Sequence, residues 1–263
     1  MLYSIRIKKS ISIVFALAFA PFFFAHGQDI STASTDALQS DLSRLTESLD
    51  LLNAIKIGKR PTDATLLQSA LNNVISISEE EIRSVSMQLG AHSGLTDEEI
   101  SLQDDLMADI ASLKLHIKSV RTDTTQESGI SGIISLAQKF KEWRDGPYTI
   151  TMRQAIRFVS VFENNASIIA ANVRFSAIAK DENIIRSFLA LFRTTPFTRL
   201  MKEAQTKIKK ATNLNTRAKA ALMPDAEQPV DHDDTIDEMI RQSNALVNAA
   251  YDDFIAISRL IRK

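Results

Sequence analysis

Two neighbouring blocks of charge are the feature of this chain most suited to chemistry. Arg199, Lys202, Lys207, Lys209, Lys210, Arg217 and Lys219 stand together against a single acid, Glu203. Asp225, Glu227, Asp231, Asp233, Asp234, Asp237 and Glu238 follow, with no Lys or Arg among them. A cationic stretch this dense makes a face for an anionic partner such as a cell-surface polymer or a lipid headgroup. The plainer alternative is a solvated basic helix whose field is partly offset by the acidic segment folding back. Exposed ion pairs contribute at most about 1 kcal/mol each, so neither block is expected to hold the fold together.

Within the acidic block, Asp231-His232-Asp233-Asp234 offers oxygen and imidazole donors suited to a cation. It lacks the ordered spacing and turn glycine of a calcium loop, and four polar residues before a helix serve equally as its cap. We therefore expect no metal site and no cofactor. His92 in a turn and His116 beside a helical seam have no partner at H-E-x-x-H spacing, and surface positions are expected for both. Gly129-Ile130-Ser131-Gly132 falls one residue short of a nucleophile elbow and has no strand before it. No phosphate-cradling glycine loop and no S-x-x-K pair occurs. The Asn165-Ala166-Ser167 sequon sits inside a helix. A non-enzymatic chain is the expectation. Asn164, Asn165 and Asn172 remain, polar steps in an apolar helix; they read as a buried polar layer or as one wall of a small-molecule pocket.

The elements that would position these residues are all helical. From Thr149 to Lys180 there is neither Gly nor Pro, and Met152, Ile156, Val159, Phe162, Ala166, Ile169, Val173 and Ala177 step by threes and fours. Phe158, Val161, Ile168, Phe175 and Ile178 widen that stripe, as expected of a central helix around which others pack. Trp143, Gly146, Pro147 and Tyr148 mark its entry, with a short helix over residues 133–144 before the break.

Upstream, Leu38, Leu42, Leu45, Leu49 and Leu52 repeat at coiled-coil spacing. Leu67, Leu71, Val74, Ile82, Val85 and Leu89 form a second stripe with Ser78 in its gap. Leu106, Ile110, Leu113, Ile117 and Val120 form a third, opened by the capping box Thr96 and Glu99. Downstream, Thr195-Pro196 reads as a helix start, and Ile236, Ile240, Val247, Tyr251, Phe254, Ile257 and Ile261 line the last helix. No alternating strand pattern competes. The expected fold is all-α, an elongated bundle with a coiled-coil-like N-terminal part and about seven or eight helices.

The N-terminus supplies the destination. Arg6, Lys8 and Lys9 precede an uncharged apolar run, and Ala25-His26-Gly27 offers small residues ahead of a cut before Gln28. That is the layout of a secretory signal peptide, with an uncleaved anchor through residues 10–28 as the alternative. Losing those three cations takes the formal charge from −1 to −4, which argues against nucleic acid as a partner. Without any Cys, an exported chain must rely on its core.

Aromatics are absent from residues 28–139, and this divides the chain into 1–27 (signal), 28–128 (leucine-seamed hairpin region) and 129–263 (aromatic-packed bundle). The functional expectation is an exported, periplasmic or cell-surface, interaction module of the envelope whose partner is a protein or a second copy of itself. The alternative is an extracytoplasmic ligand- or ion-binding sensor.

Overall fold

The computed structural model describes residues 64–189, 191–223 and 233–262. The signal segment, the Leu38–Leu52 seam and most of the acidic linker lie outside the described residues. Every regular element described is helical, and no strand occurs among them. In chain order these are α1 (Ala64–Gly90), α2 (Asp97–Gln126), α3 (Ile130–Trp143), a π-turn (Arg144–Tyr148), α4 (Thr149–Lys180), α5 (Glu182–Phe188), α6 (Leu191–Leu222) and α7 (Asp233–Arg262).

The seams of α1 and α2 fold inward. Leu67, Leu71, Val74, Ile82, Val85 and Leu89 are all buried, as are Leu106, Ile110, Leu113, Ile117 and Val120. Ser78 fills the gap in the α1 seam without breaking the helix, because its buried hydroxyl donates back to the Val74 carbonyl at 2.9 Å. Gly94, at φ 74°, makes the turn that returns the chain, a left-handed position that glycine occupies at little cost. Thr96 and Glu99 then cap α2 reciprocally: the Thr96 amide donates to Glu99 Oε2 at 2.9 Å, and the Glu99 amide to Thr96 Oγ1 at 3.4 Å.

The Gly146-Pro147 signal turns out to kink the chain without ending the helix. Gly146 takes a non-helical φ of −107° and ψ of −106° inside a single π-turn, and α3 passes through it into α4. Several contacts hold this joint. The buried Tyr148 hydroxyl donates to a Glu81 carboxylate oxygen on α1, and Arg144 pairs with the same oxygen at 3.1 Å. Trp143 stacks on His116 at 4.4 Å and on Phe140 at 5.3 Å. Burial first, then the Glu81 charge, pushes the Tyr148 phenol far above its ordinary value, so it stays a proton donor.

Apolar side chains gather into successive clusters along α4. The first spans Leu67 to Val159 and uses α1, α2, α3 and the first half of α4, crossing the compositional step near residue 128. The second joins Ile168 and Ala171 of α4 to Phe197, Ala204 and Ile208 of α6 and Val247, Phe254 and Ile257 of α7. Val161, Ala218, Ile236, Met239 and Ile240 form a small cluster between them.

Two local expectations are corrected. α6 begins at Leu191, so Pro196 lies inside it and does not open it. Pro196 has no N–H to donate one turn back and its ring crowds the carbonyl there, and buried Phe197 and Met201 anchor the turns around it. The expected core stripe of α4 is buried at Met152 and Val159 and half-buried at Ile156 and Phe162. It leaves the core at Ala166: Ile169 is 55% and Val173 65% exposed. The widening residues Phe158, Val161 and Ile168 take its place inside.

Candidate interaction face and buried polar layer

α6 carries all seven cations singled out from the sequence, and packing sorts them into two groups. Lys207 and Lys219 turn toward neighbouring helices. Lys207 Nζ meets Asp253 of α7 at 2.6 Å and also donates to the Ala249 carbonyl at 3.3 Å. Asp253 is buried, so this pair ties α6 to α7. Lys219 pairs with Glu99, the capping acid of α2, and lies 5.3 Å from the centre of the Phe162 ring. Burial raises the Glu99 carboxyl, but the hydrogen bonds from Lys219 and Thr96 and the Lys219 charge outweigh it and leave its pKa below the ordinary value.

The other five, Arg199, Lys202, Lys209, Lys210 and Arg217, are exposed. Their spacing confines them to an arc of about 100° on the helix circumference. Glu203 approaches Arg199 at 3.8 Å on the edge of that arc. Two acids of the acidic block are engaged elsewhere. Asp237 grips Arg157 of α4 in a two-pronged pair at 2.6 and 2.7 Å, and Glu238 pairs with Arg241 on its own helix at 2.6 Å. Asp233 and Asp234 begin α7, and the Asp231-His232 step lies outside the described residues. Among the described residues no three metal-ligating side chains come together.

Between α6 and α7 runs an open groove of about 660 Å³ lined by Lys209, Lys210, Asn213, Leu214, Arg241, Gln242, Ala245 and Leu246. Its floor is apolar, its rim has three cations, and among the described residues no acid lines it. Arg241 and Gln242 were not singled out from the sequence, because only the α6–α7 pairing brings them beside Lys209 and Lys210.

The asparagine trio separates. Asn164 is buried and donates from Nδ2 to Asn215 Oδ1 of α6 at 3.0 Å; Asn215 Nδ2 in turn donates to the Val161 carbonyl at 3.1 Å. Asn165 is exposed, and so is Asn172, whose side chain donates back to the Ile168 carbonyl at 3.1 Å. Ser243, in the gap of the α7 stripe, donates to the Ala211 carbonyl at 2.8 Å. Arg157–Asp237, Asn164–Asn215 and Ser243 are three polar links at successive levels among α4, α6 and α7. Such links favour one helix register, since sliding any helix would leave these groups without partners.

His116 covers Trp143 from the exposed side. His92 departs from expectation: it is half-buried against Phe158 and Phe162, with ring centroids 6.2 and 5.6 Å away, and its buried Nε2 has no hydrogen-bond partner among the described residues. Burial pushes its pKa below the ordinary value. Ser131 of the near-elbow lies in the first turn of α3, following the N-cap Gly129. No family model, curated protein or solved structure matches this chain.

Proposed function

We propose that this chain is an exported, non-enzymatic helical-bundle protein that acts by contact, as a structural or interaction module of the cell envelope or surface. The observation that carries the reading is the sorting of charge on α6. Two cations are spent on pairs with buried acids, while five remain on one outward arc beside a groove edged by a further cation, Arg241. The Arg6–Gly27 signal pattern supports an extracytoplasmic location, where anionic polymers and headgroups are available. The bundle is elongated, with the leucine-seamed helices before residue 128 as its coiled-coil-like part and the aromatic-packed helices after it. Lys202, Lys209, Lys210 and Arg217 meet an anionic surface, and a protein partner or second copy completes the assembly.

Binding of the mature chain to an immobilised anionic polymer tests this. Retention should fall steeply with salt and disappear in a Lys202→Glu, Lys209→Glu, Lys210→Glu and Arg217→Glu variant. Equal retention of that variant would remove the basic face from the account. Sequencing the exported protein's N-terminus should give Gln28; a start at Met1 would mean that residues 10–28 stay as an anchor.

A second reading, a ligand-binding sensor, rests on the same groove, whose apolar floor and cationic rim suit an amphiphilic anion. Such a ligand would raise the melting temperature, because it binds the folded state alone.

A further inference from the structure

The second half of α4 is apolar on two opposite sides. Ile168 and Ala171 are buried against α6 and α7. On the other side Ala166, Ala170, Val173 and Ala177 recur at spacings of four, three and four, and all are exposed. Val173 and its neighbour Ile169 have 65% and 55% of their surface open. A helix with this pattern has a second seam to cover.

We propose that two copies of this chain pair through that seam, α4 against α4 and antiparallel. In this register Ala166 of one copy faces Ala177 of the other, and Ala170 faces Val173. Charge complementarity selects both the occupant and the direction. Continuing the same heptad outward reaches Glu163 at one end and Lys180 at the other. Antiparallel pairing sets Glu163 opposite the second copy's Lys180 at both ends of the seam. Parallel pairing would set Glu163 against Glu163 and Lys180 against Lys180, which is repulsive at each end. Glu163 also has an interaction within its own chain, to which the second copy's ammonium would add. The small side chains let the two helices approach closely, and the Ala–Val layers alternate small with larger volumes.

The absence of cysteine gives a clean test. Mature chain carrying Ala166→Cys is mixed with chain carrying Ala177→Cys and oxidised. The proposal expects disulfide-linked heterodimers, and little linkage in either variant alone, since two copies of residue 166 would lie about 16 Å apart along the axis. Sedimentation of the unmodified chain should show a reversible dimer with a dissociation constant on the order of 10 μM, as suits an interface smaller than the usual size. Lys180→Glu should weaken it about tenfold, and adding Glu163→Lys should restore it. Circular dichroism of each variant shows that the helices are intact.

Homodimers from the single variants would overturn the antiparallel register. A strict monomer at about 100 μM would overturn the pairing altogether. The proposal rests on the contact reading but fails separately from it, because salt-sensitive retention on anionic polymer tests the α6 face and not this one.

Discussion

Buried hydroxyls and amides decide more in this molecule than its count of charges suggests. Ser78, Ser243, Asn164 and Asn215 each occupy a place where an apolar residue would continue a seam, and each is matched by a hydrogen bond. Replacing Asn215 by Ala should cost about 1–3 kcal/mol, because it leaves the buried Asn164 amide without its acceptor. Asn164→Leu with Asn215→Leu should cost less than the two single changes added together, and denaturant unfolding of all three variants measures the difference. His92 makes the stability depend on pH. Its folded pKa is depressed, so between that value and the unfolded value of about 6.5 the unfolded chain binds more protons and stability falls as pH falls. The melting temperature should drop between about pH 7 and pH 5, and His92→Phe should reduce that drop, leaving the share of His116, whose pKa burial also lowers. Glu99 acts lower down: its depressed pKa contributes stability that is lost only as the carboxylate protonates, below about pH 4.5.

At the scale of elements, the helices were legible because each buries one continuous face and shows the matching period. Leu67 to Leu89 and Leu106 to Val120 became core residue for residue, and the Thr96–Glu99 box formed as spaced. Three features were not legible. A Gly-Pro pair signals a break, but whether the helix ends or kinks depends on what grips it, here Glu81 from 67 residues upstream of Tyr148. A helix apolar over most of its circumference does not say which side its neighbours take, and α4 changes the buried side near Ala166. Long-range ion pairs leave no local pattern, so Lys219–Glu99 and Arg157–Asp237 could not be read from spacing. The second of these joins α4 to α7 and carries its own prediction. Asp237→Ala strips the buried Arg157 guanidinium of its carboxylate and should destabilise the chain by about 1–3 kcal/mol, moderated because Asp237 is half exposed. Adding Arg157→Met should recover part of that loss in thermal unfolding; no recovery would mean that Arg157 holds α4 through its other contacts.

Across the whole molecule, α4 is the continuous element. Its first half belongs to the core built with α1, α2 and α3, and its second half to the core built with α6 and α7. The Lys219–Glu99 pair and the Phe162 contact bridge the two regions where α2 begins. Lys219→Met should therefore lower the cooperativity of unfolding as well as its midpoint, since it loosens one core from the other; coincident transitions for Trp143 fluorescence and far-UV dichroism would argue against that.

Two surfaces remain turned outward on this frame, the cationic arc of α6 and the apolar seam of α4, and the proposed contact function works through them. Site-specific photo-crosslinking of the full chain in its native cells tests this most directly, with the probe placed in turn at Lys210, Val173 and, as a control, the exposed Asp109 of α2. We expect discrete higher-mass products from Lys210 and Val173, the latter containing a second copy of the chain, and none from Asp109. Free monomer at all three positions would contradict the account.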